Sequence, residues 1–249
     1  MNRLDVSRLA VWIGVAAAIA APASQALTGW GLTASQFAGQ GDATLRVAGY
    51  AFSIWGVIYT GLIAYAVRRA VRKETSALEA SLDLPLAVAS FGCGLWIVAA
   101  GLNLRWLTVL VIAAALVASV VGLVRVRRAA PVLSFGQRVT ALWPISLLAG
   151  WLTAASVVNV LTVLTSEGVI APAAAASWAL AGIALAAAIA IGVLLAVRFP
   201  SYALPVAWGL VGAFVAERNH QPLVANAALG CAGLLLLVAV FVGRTPNRA

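Results

Sequence analysis

Charge is what this sequence has least of. Only 9% of its 249 residues are Asp, Glu, Lys or Arg, against 63% hydrophobic, whereas soluble domains are about a quarter charged. A water-soluble fold of this size cannot cover so much apolar surface, so the solvent for most of the chain is lipid. Histidine is reduced to one residue, His220, with no cysteine or second histidine beside it, which argues against a protein-built zinc site. The two cysteines, Cys93 and Cys231, both lie in apolar runs and read as small buried hydrophobes. No Gly-rich phosphate loop, nucleophile elbow or His-Glu metalloprotease motif occurs, so nothing supports an enzyme. Carboxylates are scarce inside the apolar runs. Asp42, Glu74, Glu79, Asp83, Glu167 and Glu217 read as loop or span-end residues, which argues against an ion-coupled pump.

What is present is length in apolar runs. A spanning helix needs roughly 20 mostly apolar residues, and eight runs qualify: about 9–30, 48–67, 84–103, 106–124, 140–164, 173–197, 201–216 and 222–243. The seventh is the shortest. Pro85, Pro172, Pro200 and Pro222 sit at or near expected starts, where a missing N–H costs little. Pro22, Pro144 and Pro205 fall inside or in first turns, where local kinks are expected.

The sixteen basic residues are scattered between these runs, which is an orientation signal rather than a nucleic-acid footprint; no nucleic-acid partner is expected. Arg3, Arg8, Arg68, Arg69, Arg72, Lys73, Arg125, Arg127, Arg128, Arg138, Arg198, Arg244 and Arg248 fall on one side, and Arg46, Arg105 and Arg218 on the other. That bias places both termini in the cytoplasm. Arg3, Arg8, the apolar stretch after them and Ala21-Pro22-Ala23 also imitate a signal peptide. The apolar run continues to Trp30, which favours a retained helix. An alanine- and arginine-rich composition with one lysine suggests a bacterial inner membrane.

Nine tryptophans need places. Trp12, Trp30, Trp106, Trp143 and Trp178 lie near span ends and suit an interfacial belt. Trp55, Trp96, Trp151 and Trp208 lie farther in, where an indole N–H needs a partner and faces protein, ligand or water. In the second run, Phe52, Trp55 and Tyr59 share one helical face, with Gly56 expected to admit a neighbouring backbone. In the fifth, Trp151, Ala155, Asn159 and Thr162 fall on one face, and Asn159 must find a partner on another helix or on a ligand.

The segment Trp55-Gly56-Val57-Ile58-Tyr59 resembles the W-x-x-[LI]-Y signature of the second helix in the TspO/MBR family, the tryptophan-rich sensory proteins. Trp151, Ala155 and Asn159 keep the spacing of that family's fifth helix, and Trp96 corresponds to its tryptophan-bearing third helix. The resemblance covers roughly residues 9–165. The chain departs from it in residues 31–49, which contain neither proline nor tryptophan, at Leu147, where the family has proline, and in its three further runs.

The apolar runs give an all-α membrane bundle of about eight spans; the resemblance implies a five-helix core over 1–168 and leaves 169–249 as an additional three-helix segment. It implies a cavity for a planar hydrophobic ligand, porphyrin- or haem-type or sterol-like, lined by Phe52, Trp55, Tyr59, Trp96, Trp151, Ala155 and Asn159. Arg218 and His220 are candidates for the pocket mouth, meeting an acidic ligand group. A receptor or carrier is expected, with membrane lipids and a hydrophobic small molecule as partners and a homodimer as its assembly. A small-molecule transporter is the alternative.

Overall fold

The computed structural model describes residues 3–72, 75–129 and 132–244. Lys73, Glu74 and Arg248, used above for orientation and loop assignment, lie outside the described residues. Within them every regular element is helical: α1 (Arg3–Thr28), α2 (Ala34–Gly39), α3 (Ile54–Val71), α4 (Ala77–Gly101), α5 (Arg105–Ala129), the single turn α6 (Phe135–Gln137), α7 (Trp143–Ser166), α8 (Ala175–Val197), α9 (Ala203–Glu217) and α10 (Pro222–Arg244). Seven stretches are long and apolar enough to cross a membrane.

The seventh run, 201–216, is the exception. Helix α9 has 15 residues, about 22 Å at 1.5 Å per residue, against a hydrocarbon thickness of about 30 Å. The 3₁₀ turn Pro200–Tyr202 precedes it. Its start is held inside the bundle: Tyr202 is fully buried, and its hydroxyl shares a 2.7 Å hydrogen bond with Thr153 Oγ1 of α7. A polar start at that depth needs such a partner, because lipid offers none.

Helix α4 corrects the sequence reading. The run expected over 84–103 begins instead at Ala77, so Pro85 lies within the helix and Glu79 and Asp83 are buried within it. Hydropathy stops counting at two acids, but the fold neutralises both. Arg69 Nη2 donates to Asp83 Oδ2 at 2.8 Å, and Tyr65 Oη donates to Asp83 Oδ1 at 2.7 Å. Ser7 Oγ of α1 donates to the same carboxylate at 3.0 Å. Arg68 Nη2 reaches Glu79 Oε1 at 2.7 Å, and Glu79 closes a capping box with Ser76. The result is a charged clasp joining α1, α3 and α4 at the basic end.

Before α7 the chain widens into a π-turn over Arg138–Leu142. Pro144 lacks an N–H and its ring crowds the preceding turn, so the expected local distortion takes this form. Helix α7 then stands at the centre, packed against α3, α5, α8 and α9, while α4 packs between α1 and α5. One buried apolar cluster runs from Val11 in α1 to Val242 in α10. The C-terminal helices therefore belong to the same packed body as the first five spans.

Candidate ligand cavity

An apolar cavity lies between α3, α4, α5, α7, α8 and α9, beneath the segment that joins α1 to α3. The cavity has a volume of about 70 Å³. The aromatic wall comes from five elements. Phe52, in the 3₁₀ turn Gly49–Ser53, meets Trp151 edge-on at 6.0 Å, and Trp55 meets Trp151 in the same way at 6.3 Å. Trp96 of α4 receives Phe37 of α2 edge-on at 5.9 Å. Such T-shaped contacts hold rings in fixed places better than aliphatic packing does.

Six of the seven residues expected to bind ligand line this cavity: Phe52, Trp55, Trp96, Trp151, Ala155 and Asn159. Thr162, on the same face of α7, lines it too. Tyr59 stands behind the wall, stacked on Trp55 at 5.2 Å, and supports the indole instead of bordering the cavity. Arg218 and His220 are exposed in the turn between α9 and α10 and are not among the lining residues. Gly56 also differs from expectation. It is exposed, and a methyl group added there would meet nothing within 4 Å, so no neighbouring backbone uses it.

Asn159 is the polar hinge of the wall. Its Oδ1 accepts from Trp96 Nε1 at 3.0 Å, and its Nδ2 donates to Thr108 Oγ1 at 3.0 Å, joining α4, α5 and α7. The amide thus has the partners that an apolar interior demands. Replacing Asn159 with leucine strands the Trp96 N–H, while the Thr108 hydroxyl keeps its bond to the Arg105 carbonyl oxygen. The expected loss is about 1–3 kcal/mol of stability, read from thermal unfolding in detergent. Trp208, the fourth deep tryptophan, is committed elsewhere: its Nε1 donates to Ala51 O at 2.9 Å and its ring meets Tyr50 edge-on. The remaining two differ. Among the described residues, neither Trp55 Nε1 nor Trp151 Nε1 has a protein acceptor, although Trp151 is only 4% exposed.

The segment from Gly29 to Ser53 forms a lid. Phe37, Ala38, Leu45 and Val47 line the cavity from above, with Phe37 and Leu45 buried. Its fastenings are polar and come from the turn between α4 and α5, from α7 and from α9. Gln40 Nε2 donates to Asn103 Oδ1 at 3.1 Å, and Thr165 Oγ1 donates to Thr44 Oγ1 at 2.7 Å. Arg46 N donates to Glu217 Oε1 of α9 at 2.6 Å. Gly31, in the left-handed region at φ 65°, lets the lid lie on α4, where a methyl would stand 2.6 Å from Gly101 O.

Sequence patterns did not disclose the lid residues, since Phe37, Leu45 and Val47 follow no helical face shared with the motifs. The C-terminal wall left a fainter trace. Gly182 and Ala186 of α8, and Gly209 and Ala213 of α9, are small residues four apart that face the cavity.

Fold and cavity define a polytopic helical membrane protein with an aromatic-walled internal pocket. The family model described as TSPO-like protein matches residues 8–241, and the chain belongs to that family. No curated protein and no solved structure matches it.

Proposed function

We propose that this protein is a receptor or carrier that holds a planar apolar ligand of the tetrapyrrole class in the cavity, without turnover. The observation that carries the reading is the pair of indole N–H groups on Trp55 and Trp151 that have no protein acceptor. An indole N–H with no protein acceptor is available to a ligand, and ring nitrogens or carbonyls of a flat ligand are suitable acceptors. The lining supports binding over catalysis: among the described residues its side chains are aromatic, aliphatic or small, with Asn159, Thr162 and Cys93 as the only heteroatom-bearing ones apart from the indoles.

A transporter needs a continuous route, and the packing toward the basic end counts against one. Ile58 and Leu62 follow Trp55, Leu86 precedes Cys93, and Ile145 and Leu148 precede Trp151. All five are 0% exposed and fill the bundle there. Below them stands the Arg69–Asp83 clasp. The basic residues concentrated at that end support a cytoplasmic assignment for both termini, and the composition supports a bacterial inner membrane.

Size sets the mode of binding. An engineered protein cavity of about 150 Å³ just accommodates benzene, so about 70 Å³ of free space requires the walls to part before a tetrapyrrole enters. Binding is then coupled to lid or helix movement. The test is tryptophan quenching by protoporphyrin IX in detergent. The expected result is saturable quenching at low micromolar ligand, with Kd raised about tenfold in Trp55→Phe/Trp151→Phe. That corresponds to about 1.4 kcal/mol for two lost hydrogen bonds. Absence of saturable quenching in the wild type rejects the tetrapyrrole class.

A further inference from the structure

We propose that the cavity exchanges its ligand sideways with the bilayer, through a groove on the lipid-facing side of the α7–α8 seam; this rests on the apolar-ligand reading above. The groove has a volume of about 300 Å³ and is lined by residues of α7 and α8 only, among them Val160, Trp178, Ala181 and Leu185. All four are exposed on the outer face of the bundle. It is apolar apart from Ser156, whose buried Oγ has no hydrogen-bond partner. The occupant is therefore the apolar ligand itself, arriving from the hydrocarbon in which it dissolves.

Continuity with the cavity makes the groove an entrance. Val157 and Gly182 line both spaces. The wall between them is one side chain thick, because Val157 and Leu161 lie directly over Gly182. A methyl on that glycine would stand 2.7 Å from Leu161 Cδ1 and 3.2 Å from Val157 Cγ1. Two apolar side chains must turn for a passage to open, and no polar contact breaks. The route under the lid is costlier. It requires release of Gln40 from Asn103, Thr44 from Thr165 and Arg46 from Glu217, and it leads to water, where an apolar ligand is scarce.

A lateral gate controls rates and leaves affinity alone. Ala181 borders the groove but not the cavity, so Ala181→Phe fills the entrance without touching the binding walls. In nanodiscs, stopped-flow quenching by protoporphyrin IX is expected to show association and dissociation both slowed about tenfold in Ala181→Phe, with Kd unchanged. Val157→Ala, which thins the gate, is expected to accelerate both. Leu237→Phe, on the lipid face of α10, serves as the control and is expected to change neither rate.

A second readout needs no tetrapyrrole. Cys93 lines the cavity and is buried, so in a Cys231→Ser background its thiol reports access to the interior. Phenylmercuric acetate dissolves in the bilayer and forms an S–Hg bond there, releasing acetate and the thiol proton. Mercuration of Cys93 is expected to slow about tenfold in Ala181→Phe. Unchanged mercuration in that variant overturns the lateral entrance, whatever protoporphyrin IX does. Slowed mercuration in a protein that fails to bind protoporphyrin IX upholds the entrance and rejects the tetrapyrrole reading alone.

Discussion

Replacing Asp83 with alanine is expected to destabilise the protein by about 3–5 kcal/mol, the usual consequence of leaving a buried charge without its partner. The stranded charge is Arg69, which is fully buried and donates through Nε at 3.1 Å and Nη2 at 2.8 Å to the same Asp83 oxygen. Arg69 Nη1 has no partner of its own, so the carboxylate is what makes this guanidinium tolerable inside the bundle. Tyr65 and Ser7 lose their acceptor at the same time, and with Ser7 goes a polar tie between α1 and α4. Unfolding in mixed detergent micelles measures the loss. Arg69→Met/Asp83→Leu removes both charges and is expected to recover most of it, because desolvating a pair offsets much of its attraction. If the double variant is as unstable as Asp83→Ala, the clasp works through shape and not through charge.

This clasp marks the boundary of what the sequence discloses. The apolar runs locate the long helices because a lipid-spanning helix announces itself by length alone. The start of α4 escapes that logic, since Glu79 and Asp83 look like loop residues until their partners Arg68 and Arg69 are placed beside them by α3. The aromatic motifs were legible for a related reason: Trp151, Ala155 and Asn159 sit on one face of a regular helix, and all three reach the cavity. Tyr59 shares its face with Trp55, yet a helical face is wide enough that one residue meets the cavity while the next supports it from behind. Arg218 and His220 are exposed and lie outside the cavity lining, since polarity at a helix end says nothing about direction. Glu217, one position earlier, is the residue that turns inward, to the lid at Arg46. The lid could not be foreseen, since the position of an irregular segment follows from the surfaces it lies on and not from its own periodicity.

Gly150→Val is expected to be damaging and Gly56→Val innocuous, although each glycine adjoins a tryptophan that lines the cavity. Gly56 follows the signature tryptophan, but it faces open space. Gly150 precedes Trp151, and a side chain there runs into the Tyr202 carbonyl oxygen, with Pro205 Cδ at 3.2 Å and Cγ at 3.3 Å behind it. Those atoms belong to the 3₁₀ turn and first residues of α9, which are anchored by the Tyr202–Thr153 hydrogen bond and cannot swing aside as a flexible side chain does. A valine therefore pushes α9 off α7, breaks that bond, and parts Gly209 from Ala154, whose Cβ stands 3.2 Å from a methyl placed on the glycine. Overpacking of this kind costs about 1–3 kcal/mol, and the lost buried hydrogen bond adds about 1 kcal/mol. Because Trp151, Ala154 and Gly209 all line the cavity, ligand affinity falls with stability. Gly56→Val is expected to stay within about 0.5 kcal/mol of the wild type, as lipid-facing substitutions away from packed contacts do. Thermal unfolding and protoporphyrin IX titration of both variants decide the matter. Equal tolerance of the two would mean that α9 is not held against α7 at Gly150, and that the C-terminal wall of the cavity is free to move.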